Sequence, residues 1–141
     1  MNAFSTERQL AATPEAVYAA LIDPERLARW WGPAGFRNHF ERCEVRVGGA
    51  WEFQMIGPDG QRYPNQSRFE RLEPGRLWEI RHLNAPHFVL TIELSVHGEG
   101  TLLRWTQSFD EAAVAAALRE IVVPANEQNL DRLAAELSVV S

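Results

Sequence analysis

The sequence predicts an α+β fold in which a curved antiparallel sheet of about seven strands wraps around a long C-terminal helix, with two short helices after the first strand. Three observations predict it. Residues 36–109 read as strand segments separated by short turn signals, and HFVLTIELSVH at 87–97 alternates apolar and polar positions. After Phe109 the chain turns Ala-rich and then carries an apolar stripe at helical spacing. A sheet with one apolar face needs a cover, and the last helix is the only long element available.

Residues 3–11 alternate loosely and read as a first strand with Phe4 and Leu10 on one face. TPEAVYAALI at 13–22 starts a helix, since Thr13 suits the N-cap and Pro14 the first helical position, where no N–H is needed. Val17, Tyr18 and Leu21 form its apolar side. DPERLARWW at 23–31 repeats the device with Asp23 and Pro24, and Gly32-Pro33 stops it. At that stop Trp30 and Trp31 stand side by side. Adjacent helical positions point about 100° apart, so one packing surface cannot take both. Either the helix end is wedged between two layers of the fold, or one indole faces a cavity.

About six further strands are delimited by Gly48-Gly49, GPDG at 57–60, Pro74-Gly75, NAP at 84–86 and GEG at 98–100. Their short connections suggest an antiparallel meander. Parity places Phe88, Leu90, Ile92, Leu94 and Val96 on the apolar face. It likewise turns Trp51, Phe53 and Met55 inward, then Trp78, Ile80 and His82, then Leu103, Trp105, Gln107 and Phe109. Pro64 interrupts the strand around Tyr63–Leu72, so its first half is expected to be irregular or an edge. Asp110 is the expected cap of the last helical segment, and Pro124 is expected to break it. The helix then resumes with Asn126, Leu130, Leu133 and Leu137 on one stripe. No repeat or linker divides the chain, so residues 1–141 read as one domain.

The totals restrict function. A chain of 141 residues with 45% hydrophobic and 23% charged residues is globular in composition. A net charge of −5, with 14 scattered basic residues, argues against a nucleic-acid footprint. The single Cys43 leaves no internal disulfide and fits a reducing compartment. The opening MNAFSTERQL lacks a signal-peptide pattern, and no apolar run approaches membrane-spanning length, so the cytoplasm is the expected location. No phosphate loop, HExxH, paired CxxC or G-x-S-x-G is present, and no cofactor or metal is expected. His39 and Cys43 lie four apart on a strand, about 13 Å, too far for one metal ion. Cys43 lacks an evident base and reads as a small buried hydrophobe. Glu52, Glu79 and Glu93 fall on the wet parity, leaving no buried acidic pair for hydrolysis.

ATPEAVYAAL at 12–21, DPERLARWWGP at 23–33, EVRVGGAWEFQM at 44–55, GPDG at 57–60, EPGRL at 73–77, HF at 87–88 and EQNLDRLAAEL at 127–137 follow one another along nearly the whole chain. Together they resemble the START-like superfamily, also called SRPBCC or helix-grip proteins. More narrowly, the chain resembles the bacterial proteins grouped with the activator of the heat-shock protein 90 ATPase. The resemblance implies the helix-grip fold and a deep apolar cavity between sheet and C-terminal helix. It leaves the occupant open, because this superfamily includes carriers, cyclases, hydroxylase domains and a co-chaperone domain.

Parity and resemblance together nominate Trp31, Trp51, Phe53, Met55, Tyr63, Phe69, Trp78, His82, Phe88, Leu90, Ile92, Trp105, Gln107, Asn126 and Leu130 as the ligand wall. His82 reads either as a strand-end histidine, hydrogen-bonded or solvated, or as a cavity residue that orients a ligand or moves a proton. Gln107 needs partners from backbone, water or ligand. Asn126 heads the helical stripe at the cavity mouth or simply starts a helix. Tyr63, Asn65 and Ser67 share a parity that lines a wall or decorates an edge, while His87 and His97 read as hairpin or surface residues. The leading function is non-catalytic binding of a small hydrophobic or aromatic molecule. An enzyme of cyclase or hydrolase type using His82 with Gln107 or Tyr63 is the second reading. A chaperone-interaction role is the third, and a homodimer is compatible with all three.

Overall fold

The computed structural model of the chain describes residues 2–139. β1 (Ala3–Leu10) leads into α1 (Pro14–Ile22) and α2 (Pro24–Trp30). Six strands follow: β2 (Arg37–Cys43), β3 (Ala50–Ile56), β4 (Arg62–Glu73), β5 (Leu77–His82), β6 (Phe88–His97) and β7 (Gly100–Phe109). The chain closes with α3 (Ala112–Val139). All seven strands form one antiparallel sheet in the order β1-β7-β6-β5-β4-β3-β2, so β2 to β7 is a meander and β1 joins it beside β7. This curved sheet with a long C-terminal helix is the expected helix-grip architecture.

Local chemistry explains the elements. Thr13 accepts a hydrogen bond from Ala16 N at 3.2 Å and Asp23 one from Glu25 N at 3.0 Å, each followed by a proline in the first turn. The β2–β3 turn requires glycine twice. Gly48 has φ +82°, and a Cβ at Gly49 would collide with the Glu44 carbonyl oxygen.

The first half of β4 is an edge, the second of the two expectations for the Pro64 segment: it pairs with β3 from Arg62 onward, while β5 pairs with β4 only from Ser67 to Glu73. Asn84 covers that edge, accepting from Gln66 N and donating to the Pro64 carbonyl, both at 3.0 Å. Three expectations are corrected. Pro124 lies inside one unbroken helix of 28 residues. It withholds an N–H from the Glu120 carbonyl, but Glu120, Val123 and Pro124 are exposed and water can replace that donor. Asp110 does not cap α3; its carboxylate takes Arg81 Nη1 at 3.1 Å, and the cap position falls on Glu111. Val96, beside the β6–β7 turn, is 75% exposed because the hairpin tip projects beyond the core.

α1 and α2 plug one end of the sheet. Val17, Ala20, Leu21, Leu27 and Trp30 are buried there against Trp78 and the inner faces of the strands. On the outer face arginine–carboxylate pairs run across neighbouring strands, including Arg71–Glu79 and Arg104–Glu7. No helix among the described residues is long and apolar enough to cross a membrane.

Candidate functional site

The two adjacent tryptophans separate because α2 ends between them. Trp30 is its last helical residue, whereas Trp31 is the C-cap with extended backbone (φ −68°, ψ 137°). Trp30 therefore packs under the helices, donating its indole N–H to the Ala20 carbonyl at 2.9 Å. Trp31 turns across the sheet toward Trp51, Trp78 and Trp105, with ring centroids 4.9, 5.8 and 6.0 Å away.

α3 holds this corner in place. Asn129 accepts from Gly32 N at 3.1 Å and donates to the Trp30 carbonyl at 3.0 Å. The Arg132 guanidinium reaches the carbonyls of Arg29, Trp31, Gly32 and Pro33 at 2.7–3.0 Å, satisfying acceptors that a helix end leaves open. Burial lowers the Arg132 pKa. One turn on, Glu136 is 7% exposed and pairs with Arg26 and Arg29, and the Arg29 hydrogen bond chiefly holds its carboxyl below the usual range.

Beside Trp31 the core is not filled. A half-open cavity of about 140 Å³ lies between the sheet and α3. Of the nominated residues, Trp31, Phe53, Met55, His82, Phe88, Leu90, Trp105, Gln107 and Asn126 line it. Trp51, Phe69, Trp78, Ile92 and Leu130 do not; they are fully buried behind the wall or under α1 and α2. Tyr63 is 43% exposed and stands outside, packed on Phe36 with its hydroxyl donating to Gln61. Gly32, Pro33, Asn65, Ser67, Ile80, Ala125 and Asn129 complete the lining. Parity had turned Ile80 inward and offered Asn65 and Ser67 as a wall. Asn129 shares a helix face with Asn126, three residues earlier, and that spacing was the available signal. Gly32, Pro33 and Ala125 carry no such signal.

His82 ends β5, stacked on Phe88 with centroids 4.6 Å apart. Its Nδ1 lies 2.7 Å from the Pro86 carbonyl oxygen and its Nε2 2.8 Å from Asn65 Oδ1, so each ring nitrogen faces an acceptor. Burial lowers its pKa, opposed by the Pro86 contact. Both ring nitrogens are thus engaged by protein. Gln107 accepts from Asn126 Nδ2 at 3.2 Å, which makes Asn126 a mid-helix contact rather than a helix start.

Among the described residues no Asp, Glu, Lys or Arg lines the cavity. The chain has no lysine; its 14 Lys or Arg positions are all arginine. Cys43 lies outside the lining, its thiol pushed up to about 11 by burial. Among the described residues no group of three or more His, Cys, Asp or Glu is placed to hold a metal ion. A wider open trough of about 700 Å³ crosses the outer face past Glu7, Arg71 and Arg104. Its arginines are already paired with carboxylates, so it is a solvated charged surface.

A sheet gripping a C-terminal helix, two short helices plugging one end and an apolar cavity between the layers define a helix-grip domain. The profile for Activator of Hsp90 ATPase homolog 1-like protein matches residues 11–138, and the chain belongs to that family. A protein from Chromobacterium violaceum is similar at 30% identity with a TM-score of 0.86, covering 96% of each chain. Proteins from Nitrosomonas europaea (19% identity, TM-score 0.88, 99% of this chain and 96% of that one) and Arthrobacter aurescens (23%, 0.88, 99% and 87%) share the fold. No curated protein matches the sequence.

Proposed function

We propose that this protein binds a small apolar or aromatic molecule, without transforming it, in the cavity between the sheet and α3. The observation that carries this reading is a half-open cavity of about 140 Å³ walled by Trp31, Phe53, Phe88, Leu90 and Trp105, with no Asp, Glu or Arg among the described residues that line it. Protein interiors are otherwise close-packed, and an apolar void of roughly 150 Å³ accepts a benzene-sized guest. A cytoplasmic setting belongs to the same reading and rests on the lone Cys43.

His82 supports binding over catalysis, because neither ring nitrogen is open to a substrate in the cavity. The family's name supplies a second reading, association with a chaperone ATPase, which a pull-down with purified chaperone tests directly. The binding reading is tested by thermal unfolding with toluene as probe. A saturating probe at a hundredfold excess over its Kd should stabilise the fold by about 2.7 kcal/mol. Ser67→Ile, which fills the cavity from β4, should fold and lose that response. An unchanged Tm in the wild type, or an equal response in the variant, counts against the reading.

A further inference from the structure

Two side-chain amides meet at the cavity, Gln107 from β7 and Asn126 from α3. Facing amides can close a ring of two hydrogen bonds, each giving one and taking one. Here only one bond is made, from Asn126 Nδ2 to Gln107 Oε1 at 3.2 Å. Gln107 Nε2, a donor, and Asn126 Oδ1, an acceptor, have no partner among the described residues. Neither is sealed in the way that Trp51 Nε1, Trp105 Nε1 and Ser67 Oγ are, so both keep accessible surface. Gln107 stands on the inner face between Trp105 and Phe109, which are 2% and 1% exposed, so the surface it retains opens on the cavity. Turning both amides end for end preserves their bond and again leaves one free donor beside one free acceptor.

We propose that the cavity takes a neutral, single-ring molecule whose edge both gives and accepts a hydrogen bond, the pattern of a cyclic amide. Its C=O accepts from Gln107 Nε2, its N–H donates to Asn126 Oδ1, and its ring lies among Phe53, Leu90 and Trp105. This rests on reading the cavity as a ligand site, and it names the ligand class. Size restricts the guest to one ring, since the volume of about 140 Å³ is well below that of drug-sized pockets. The amide pair restricts its polar edge. A carboxylate presents acceptors only and would oppose Asn126 Oδ1; an ammonium presents donors only and would oppose Gln107 Nε2. Either charge would also shed its water with no Asp, Glu or Arg among the described lining residues to meet it.

The test is NMR titration of the isotope-labelled full chain with 2-pyridone, N-methyl-2-pyridone and toluene. The first has both functions, the second lacks the N–H and the third lacks both. 2-Pyridone should bind about tenfold more tightly than its N-methyl derivative, the worth of one hydrogen bond, although burial alone favours the added methyl. The double variant Gln107→Leu/Asn126→Leu removes both amides, because either one left alone still offers a donor and an acceptor; it should lose that preference. In the wild type the Gln107 side-chain amide protons should move downfield with 2-pyridone and not with toluene, a readout that does not depend on the variant folding. Equal or tighter binding of N-methyl-2-pyridone, a preference that survives in the double variant, or Gln107 amide protons indifferent to 2-pyridone would overturn the proposal, while toluene binding leaves a ligand cavity in place. Failure of all three rings to bind would instead remove the cavity reading on which it stands.

Discussion

At the α1–α2 end of the core, Trp30 and Trp78 give their indole hydrogens to the carbonyls of Ala20 and Leu21. Elsewhere on the inner face, Trp105 at the cavity wall and Trp51 behind it keep theirs unpaired among the described residues, and Ser67, across from Trp51, has no partner either. Trp51, Trp78 and Trp105 share one sheet and its inner face, while Trp30 ends α2. They differ in what covers them. The helical plug brings backbone acceptors at the C-terminal end of α1, where carbonyls are free by construction. The cavity end faces α3 across a gap. Each unpaired buried donor costs about 1–3 kcal/mol, a penalty that the plugged end avoids.

The largest expected effect tests the plugged end. Trp78→Ala should destabilise by about 4 kcal/mol in urea unfolding, since a buried Trp to Ala change combines lost transfer energy with a cavity. Glu136→Ala should cost about 3 kcal/mol by leaving Arg26 in particular without its carboxylate partner, loosening the corner that positions Trp31. The sign with pH follows from its depressed pKa. The Glu136 contribution is present above the ordinary glutamate range and is lost as pH falls through the lower folded value, so wild type and variant should converge in acid.

The sharpest version of the comparison uses one conservative change at both ends. Trp78→Phe orphans the Leu21 carbonyl and should cost about 2 kcal/mol, whereas Trp105→Phe deletes a donor that has no partner and should cost less than about 0.5 kcal/mol. Equal costs would erase the distinction. The smallest effect concerns His82, whose pKa burial lowers. The unfolded chain binds that proton more readily, so stability should decline modestly as pH drops below about 6.5. His82→Gln should flatten that part of the Tm–pH curve.

Much of the architecture was legible because strands repeat every two residues and helix starts are marked chemically. Thr13-Pro14 and Asp23-Pro24 announced α1 and α2, and parity turned Trp51, Phe53, Trp78, Ile80 and Trp105 to the inner face. Parity cannot say where along that face the cover ends. Trp51, Phe69, Trp78 and Ile92 therefore looked like Phe53, Leu90 and Trp105, although only the latter border the void. Pro124 was misleading for a related reason. The sequence shows the missing N–H but not that the orphaned carbonyl lies in an exposed stretch. The paired Trp30-Trp31 left two outcomes open, and the extended backbone of Trp31 decides between the indoles: the first anchors the plug, the second borders the cavity.

The most direct measurement is a crystal structure of the protein soaked with iodobenzene, the anomalous signal of iodine marking where a single apolar ring binds. The account predicts a peak between the sheet and α3, in van der Waals contact with Phe53, Phe88 and Leu90. No peak there, or iodine only on the exposed Ile121–Val123 stretch of α3, would contradict it.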